Sequence, residues 1–174
     1  PRQWLNLISR SKATISFSPP FGFELCARRL RSGEAADLDL SAWRVAGVGA
    51  EMIHPEVLER FAAAVAPSGF DPKAFVPCYG MAECSLAISF SPLGEGISVD
   101  RVDSERLAKD GLALAADPAV QGGDRVSGFV DCGIPLDEFE VEIRDEHNRP
   151  LPERHTGSIH LKTDTRAQEV EARG

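Results

Sequence analysis

The strongest constraint on the fold is a short, mostly apolar run that ends in closely spaced glycines and is followed by a helix-forming segment. Residues 43–48 suit a buried strand, and Gly47, Gly49 and Ala50 indicate a tight turn at its end. Pro55 suits the first position of a helix, whose apolar face would be formed by Val57, Leu58, Phe61, Ala62 and Val65. Strand, glycine turn and helix in this order predict one unit of a parallel sheet, and therefore an α/β fold.

A second strand and turn follow along the chain. Residues 74–77 form a short apolar run, which leads into the more polar segment 78–83 and then into another apolar stretch at 86–90. Ligands of open α/β sheets usually bind at the carboxyl ends of the strands. We therefore expect a binding site at the turns that follow these two strands.

The residues before this unit predict two helices and a strand. Residues 1–10 place apolar side chains with a near-helical period, and residues 13–17 alternate as a short strand. The prolines within residues 18–22 predict a break and a candidate functional loop, because they remove amide donors and keep the backbone extended. Residues 23–31 predict a second helix that ends on basic side chains just before Gly33.

The composition changes after the second turn. Residues 97–128 are rich in Asp, Ala and Gly, with one short helix predicted to begin at Asp103 or Ser104 and to stop at Gly111. Two later segments alternate apolar and polar residues on either side of a turn at 147–150, which predicts a small antiparallel sheet. The predicted division is an α/β portion at 1–98, an insertion at 99–128, a β-rich subdomain at 129–162 and a fraying polar tail at 163–174.

The length and charge of the chain exclude several classes of function. Its 174 residues are enough for one hydrophobic core. A net charge of −8 and a pI near 5.0 argue against a nucleic-acid partner. The longest apolar stretches are shorter than the roughly 18 residues of a membrane span, and the first residues lack the pattern of an export signal. We therefore expect a cytoplasmic protein with no membrane span.

The cysteines and histidines show no spacing that is typical of a metal site. Four cysteines stand at positions 26, 78, 84 and 132, with no CxxC pair. We interpret them as free thiols and small apolar core residues in a reducing compartment, and none as a nucleophile. The four histidines are interpreted as structural.

Three stretches, in the required order, resemble those of adenylate-forming enzymes. Residues 79–83 (YGMAE) resemble the aromatic-Gly-x-Thr-Glu signature of acyl-CoA synthetases, adenylation domains and luciferases. Residues 47–51 (GVGAE) resemble the adenine-contacting turn of that superfamily, and residues 157–161 (GSIHL) resemble its Gly-Glu-Ile/Leu strand, with Ser158 replacing the usual Glu. The resemblance implies part of the N-terminal α/β domain of these enzymes, with parallel strand-helix units followed by a small β-rich subdomain.

Within this superfamily the chain is most similar to the fatty acyl-AMP ligases. The agreement runs over most of residues 1–162 and includes the segment 4–26. Ala82 stands where the wider superfamily has Thr, an exchange that the ligase subset commonly accepts. Residues 99–128 fall where these ligases carry an insertion that CoA-forming relatives lack. Pro20 is a departure, because many relatives carry Asn at that position.

The resemblance also implies the chemistry of the site. Forming an acyl-adenylate requires a carboxylate to attack the α-phosphorus of ATP while pyrophosphate leaves, so negative charge must be stabilised. Glu83 is implied as the catalytic carboxylate that holds Mg²⁺. Tyr79 offers a flat face to adenine, and glycines let the backbone approach the nucleotide. The implied nucleotide-binding residues are Gly49, Ala50, Glu51, Tyr79, Gly80, Met81 and Ala82.

A fatty acid would also need an apolar, largely preformed cavity. Phe21, Phe23 and Leu25, together with Phe17, are candidates for the lining of such an acyl pocket, and they are equally consistent with ordinary core residues. Each residue of the nucleotide site has a structural alternative too: a core aromatic, a helix N-terminal carboxylate, or a turn glycine. Their joint occurrence favours the site.

Three parts of a complete enzyme are not found in the sequence: the phosphate loop that ends in Lys, the ribose-holding segment and the domain with the catalytic Lys. We therefore expect the chain to be a portion of a longer enzyme and to be inactive alone. That parent would use a fatty acid and ATP and deliver the acyl group to an acyl carrier protein. The alternatives are an acyl-CoA synthetase, if residues 99–128 do not block CoA use, and a noncatalytic α/β nucleotide-binding or interaction module.

Overall fold

Helices and strands alternate in the first half of the chain, and strands predominate in the second half. The computed structural model describes residues 1–30, 34–84, 86–117, 119 and 125–163. In these residues the helices are α1 (Arg2–Ser11), α2 (Pro20–Arg29), α3 (Pro55–Val65) and α4 (Ser104–Asp110). The strands are β1 (Ile15–Ser18), β2 (Val45–Val48), β3 (Phe75–Met81), β4 (Leu86–Phe90), β5 (Val99–Asp103), β6 (Val126–Val130), β7 (Ile134–Pro135), β8 (Glu140–Arg144) and β9 (Ser158–Lys162).

The central sheet has the strand order β1-β2-β3-β4-β7 and changes from parallel to antiparallel along β3. Strands β1, β2 and β3 pair in parallel, as the strand-turn-helix pattern predicts. The parallel pairing of β3 covers Phe75–Pro77, after which Cys78–Met81 pair antiparallel with β4. The strand predicted at 74–77 is therefore too short, because it continues through the tyrosine and glycine that were expected to form the turn.

Two helices begin at proline, where a missing amide donor costs nothing. Pro55 begins α3, which confirms the prediction. Pro20 begins α2 and occupies its first helical position. The break predicted at 18–22 therefore ends at Pro19, and its extension to residue 22 is wrong. Helix α2 consequently starts three residues before the predicted position 23.

In the described part of the chain, six aromatic rings pack together in the main core, mostly edge to face. Phe23 of α2 is fully buried, and its ring lies 5.0 Å from that of Phe61 and 5.7 Å from that of Phe75. Trp43, just before β2, is stacked against Phe23 at 6.2 Å. Such pairs add about 0.5–1.5 kcal/mol each beyond the area that they bury. The aromatic core therefore ties α2 and α3 to the parallel part of the sheet.

The second half forms two antiparallel pairs, β5 with β6 and β8 with β9. The predicted short helix is confirmed as α4: Asp103 accepts hydrogen bonds from the amides of Glu105 and Arg106, and Gly111 ends the helix at φ 63°. The predicted boundary between residues 128 and 129 falls inside β6. The predicted tail lies outside the described residues except for Thr163.

A set of polar contacts joins β5 and the segment after α4 to the loop before β9. Arg154 forms an ion pair with Asp100 at 2.6 Å, and its Nε donates to the carbonyl of Ala113 at 2.5 Å. The amide of Thr156 donates to the carbonyl of Gly111 at 2.8 Å. The segment predicted as an insertion is thus bonded to the β-rich region. In the described part of the chain, no helix has the length and apolar character to cross a bilayer.

Candidate functional site

An apolar cavity of about 250 Å³ opens at the carboxyl ends of β1 and β2. One wall comes from the end of β1, a second from the turn after β2, and a third from the antiparallel half of β3 with β4. The lining residues are Phe17, Ser18, Pro19, Gly49, Ala50, Cys78, Tyr79, Gly80, Leu86, Ala87 and Phe90. The cavity therefore lies where the sequence places a binding site, at the carboxyl edge of the parallel strands.

Gly49 allows the turn after β2 to approach β3 closely. A Cβ atom at this position would lie 2.6 Å from the carbonyl oxygen of Cys78 and 2.8 Å from its Sγ, so any other residue would push the strands apart. The thiol of Cys78 donates to the carbonyl of Val48 at 3.3 Å. Burial raises the pKa of Cys78, so the group stays a neutral donor. This wall is apolar and closely packed.

The next two residues turn the chain away from the sheet. Ala50 has φ 69°, which is unusual for a residue with a side chain. The exposed Glu51 follows, and its Oε1 accepts a hydrogen bond of 2.8 Å from the amide of Phe21. Gly49 and Ala50 line the cavity, as predicted for nucleotide-binding residues, whereas Glu51 bonds to the start of α2 just outside it.

Tyr79 and Gly80 lie at a bulge where β3 pairs with β4. The register shifts between these two residues, and a Cβ atom at position 80 would overlap the carbonyl group of Leu86. The half-buried Tyr79 lines the cavity and also packs against a small cluster that contains Ile88 and Phe139. The close approach of β3 and β4 at this bulge therefore places Tyr79 and Gly80 in the cavity wall.

The remaining motif residues lie beyond the cavity wall. Met81 is half-buried and packs on the same small cluster as Tyr79. Ala82 and Glu83 are exposed on the short 3₁₀ turn Ala82–Cys84. Among the described residues, no group of three His, Cys, Asp or Glu side chains is arranged to hold a metal ion.

The predicted acyl-pocket residues separate into different environments. Phe17 lines the cavity and its ring packs over Gly47 of the neighbouring strand. Phe23 lies in the aromatic core, away from the cavity, because α2 turns its side chain inward. Phe21 is 59% exposed and Leu25 is half-buried, and neither lines the cavity.

Sequence patterns did not identify several cavity residues. Leu86, Ala87 and Phe90 belong to the apolar stretch 86–90, for which no site role was predicted, and they reach the cavity through the antiparallel return of β4 onto β3. Ser18 and Pro19 belong to the predicted proline-rich loop, which was a candidate functional segment. The pairing of β4 has no local sequence signal, although the second proline could have identified the start of α2.

Together these observations define an α/β domain with an apolar cavity at the carboxyl edge of a parallel sheet. The family model for AMP-binding enzymes matches residues 1–169. The chain belongs to the AMP-binding enzyme family, which confirms the family and the fold that its motifs predict.

Three proteins show which members of the family the chain is similar to. A putative acyl-CoA synthetase of Caulobacter vibrioides is 46% identical over 162 residues, covering 93% of this chain and 28% of that protein. The medium-chain-fatty-acid–[acyl-carrier-protein] ligase JamA of Moorena producens is 39% identical over 144 residues, covering 82% of this chain and 24% of that protein. A crystal structure of a fatty acyl-adenylate ligase from L. pneumophila, with acyl adenylate and pyrophosphate, superposes with TM-score 0.87 at 32% identity, covering 97% of this chain and 29% of that chain. The chain thus spans less than a third of each.

Proposed function

We propose that this chain is part of a fatty acyl-AMP ligase and that its cavity forms part of the acyl-adenylate site. The observation that carries the proposal is the position of the two motif turns: Gly49–Ala50 and Tyr79–Gly80 face one apolar cavity at the carboxyl edge of the sheet. The similarity to a fatty acyl-adenylate ligase from L. pneumophila supports the same assignment.

The proposed reaction joins a fatty acid to the nucleotide. The carboxylate oxygen of the acid attacks the α-phosphorus of ATP, a new P–O bond forms, and the bond to pyrophosphate breaks. The ring of Tyr79 would support the adenine, and the side-chain-free backbone at Gly49 and Gly80 would let the nucleotide approach. Phe17 would contact the apolar substituent of the acid, since it lines the same cavity. ATP as a substrate agrees with a cytoplasmic location.

Glu83 is proposed as the magnesium-binding carboxylate. It is exposed on the turn that follows the Tyr79–Gly80 bulge, and Mg²⁺ is commonly held by one or two carboxylates together with substrate phosphates and water. A single protein carboxylate therefore fits this ion. When bound, Mg²⁺ would offset the negative charge of the phosphates.

Substitution of Glu83 tests this assignment in the longer ligase that contains the chain. Fatty-acid-dependent exchange of pyrophosphate into ATP should fall by about tenfold or more in Glu83→Gln, with a higher magnesium requirement, because the neutral amide binds the ion poorly. Glu95→Gln makes the same chemical change at an exposed loop position and should retain full exchange. Equal exchange in the two variants would contradict the role of Glu83.

The acceptor of the acyl group separates two candidate functions. The relative JamA is a ligase for an acyl carrier protein, which favours transfer to the thiol of such a carrier. The Caulobacter relative is named a putative acyl-CoA synthetase, which favours CoA as the acceptor. We propose the carrier protein, since the motif resemblance implies that residues 99–128 correspond to the insertion of the ligases. Transfer from the adenylate to a pantetheinylated carrier, but not to CoA, is the expected result.

A further inference from the structure

Helix α2 receives its N-terminal cap from a distant part of the chain. Pro19, the residue before the helix, makes no side-chain capping bond, and Pro20 has no amide hydrogen to donate. The amide of Phe21 donates instead to Oε1 of Glu51 at 2.8 Å. A carboxylate at this end is also favoured by the helix dipole. Glu51 therefore replaces the Ser, Thr, Asp or Asn that usually caps a helix.

The register of the sheet explains why these two residues meet. Ser18 pairs with Val48 at the carboxyl ends of the parallel strands β1 and β2. Phe21 and Glu51 each stand three residues further along, so the two chain segments leave the sheet side by side. The left-handed backbone of Ala50 turns its segment, and the carboxylate that follows reaches the start of α2.

The same two segments form neighbouring walls of the cavity. Phe17, Ser18 and Pro19 line one side, and Gly49 and Ala50 line the other. The hydrogen bond from Phe21 to Glu51 joins these walls just beyond the lining residues. Among the described side-chain hydrogen bonds, this is the one that connects the segment after β1 with the segment after β2.

We infer that Glu51 is a positioning residue: its carboxylate fixes the wall that faces the acyl group relative to the wall that faces the nucleotide. This inference rests on the proposed acyl-adenylate site, and it replaces the nucleotide contact that the motif implies for Glu51. A ligand that spans both walls depends on their spacing, whereas AMP alone would contact Tyr79 and the turn after β2 but not the wall at the end of β1. Loss of the bond should therefore weaken the spanning ligand selectively.

Two variants and one control separate this role from direct nucleotide binding. Glu51→Ala removes the acceptor, whereas Glu51→Gln keeps an oxygen that can accept from the amide of Phe21. Glu59→Ala makes the same charge change at an exposed position within α3. Amide hydrogen exchange of Phe21 is measured by NMR in each chain, and each chain is titrated with a nonhydrolysable acyl-adenylate analogue and with AMP.

The amide hydrogen-exchange rate of Phe21 should rise about fivefold in Glu51→Ala, as expected for a lost cap. In Glu51→Gln and Glu59→Ala the rate should stay near that of the original chain. Affinity for the acyl-adenylate analogue should fall about fivefold in Glu51→Ala alone, with AMP affinity unchanged. Unchanged exchange in Glu51→Ala, or an equal loss of AMP affinity in both Glu51 variants, would overturn the inference. If no chain binds either probe, the proposed function fails, while the exchange rates still decide whether Glu51 caps α2.

Discussion

At the scale of single residues, the turn after β2 contains two neighbouring positions that both favour glycine, for different reasons. Gly49 needs the absence of a side chain, because a Cβ atom would lie within 2.8 Å of two atoms of Cys78. Ala50 instead adopts φ 69°, a conformation that glycine reaches without steric cost. The motif resemblance placed both residues in the site, but only the structure shows which of them is tightly constrained.

Substitutions at these positions should change stability in opposite directions. Gly49→Ala should lower the free energy of unfolding by about 1–3 kcal/mol, the usual cost of overpacking. Ala50→Gly should raise it by about 0.5–1 kcal/mol, because relief of the left-handed strain exceeds the entropy that glycine adds to the unfolded chain. Urea unfolding of both variants measures the difference. A stabilised Gly49→Ala variant would contradict the close contact with Cys78.

At the scale of elements, the sequence predicted the units whose signals are local. The β2 strand, its glycine turn and α3 follow from apolar runs, glycines and Pro55 within a span of about 20 residues. The start of α2 was misplaced because consecutive prolines are compatible with both an extended segment and a first helical turn. The extension of β3 could not be predicted, since the bulge at Tyr79 depends on pairing with β4.

Helix α2 contains both Phe21 and Phe23, and its start at Pro20 explains why these two side chains differ in burial. Phe23→Ala should cost about 3–5 kcal/mol of stability, because its ring is fully buried among four other aromatic rings. Phe21→Ala should cost about 0.5 kcal/mol or less, because that side chain is 59% exposed. Thermal or urea unfolding of the pair tests the assignment. Equal costs would contradict the placement of Phe23 in the core and outside the acyl pocket.

At the scale of the whole molecule, the candidate site is assembled from segments that lie far apart in sequence. The ends of β1 and β2 come together through parallel pairing, and β4 closes the third wall by returning antiparallel to β3. The motif resemblance predicted Gly49, Ala50, Tyr79 and Gly80 as site residues, and all four line this cavity. Wall residues such as Leu86 and Phe90 depend on strand order, which residue patterns alone do not specify.

The most direct test of the account is isothermal titration of this chain with a nonhydrolysable acyl-adenylate analogue in the presence of Mg²⁺. The original chain should bind, and Tyr79→Ala should weaken binding by about 1 kcal/mol, roughly fivefold, because the ring contact is lost. Tyr79→Phe keeps the ring and should bind like the original chain. Binding that is equally strong in Tyr79→Ala, or no binding to the original chain, would contradict the assignment of this cavity as the acyl-adenylate site.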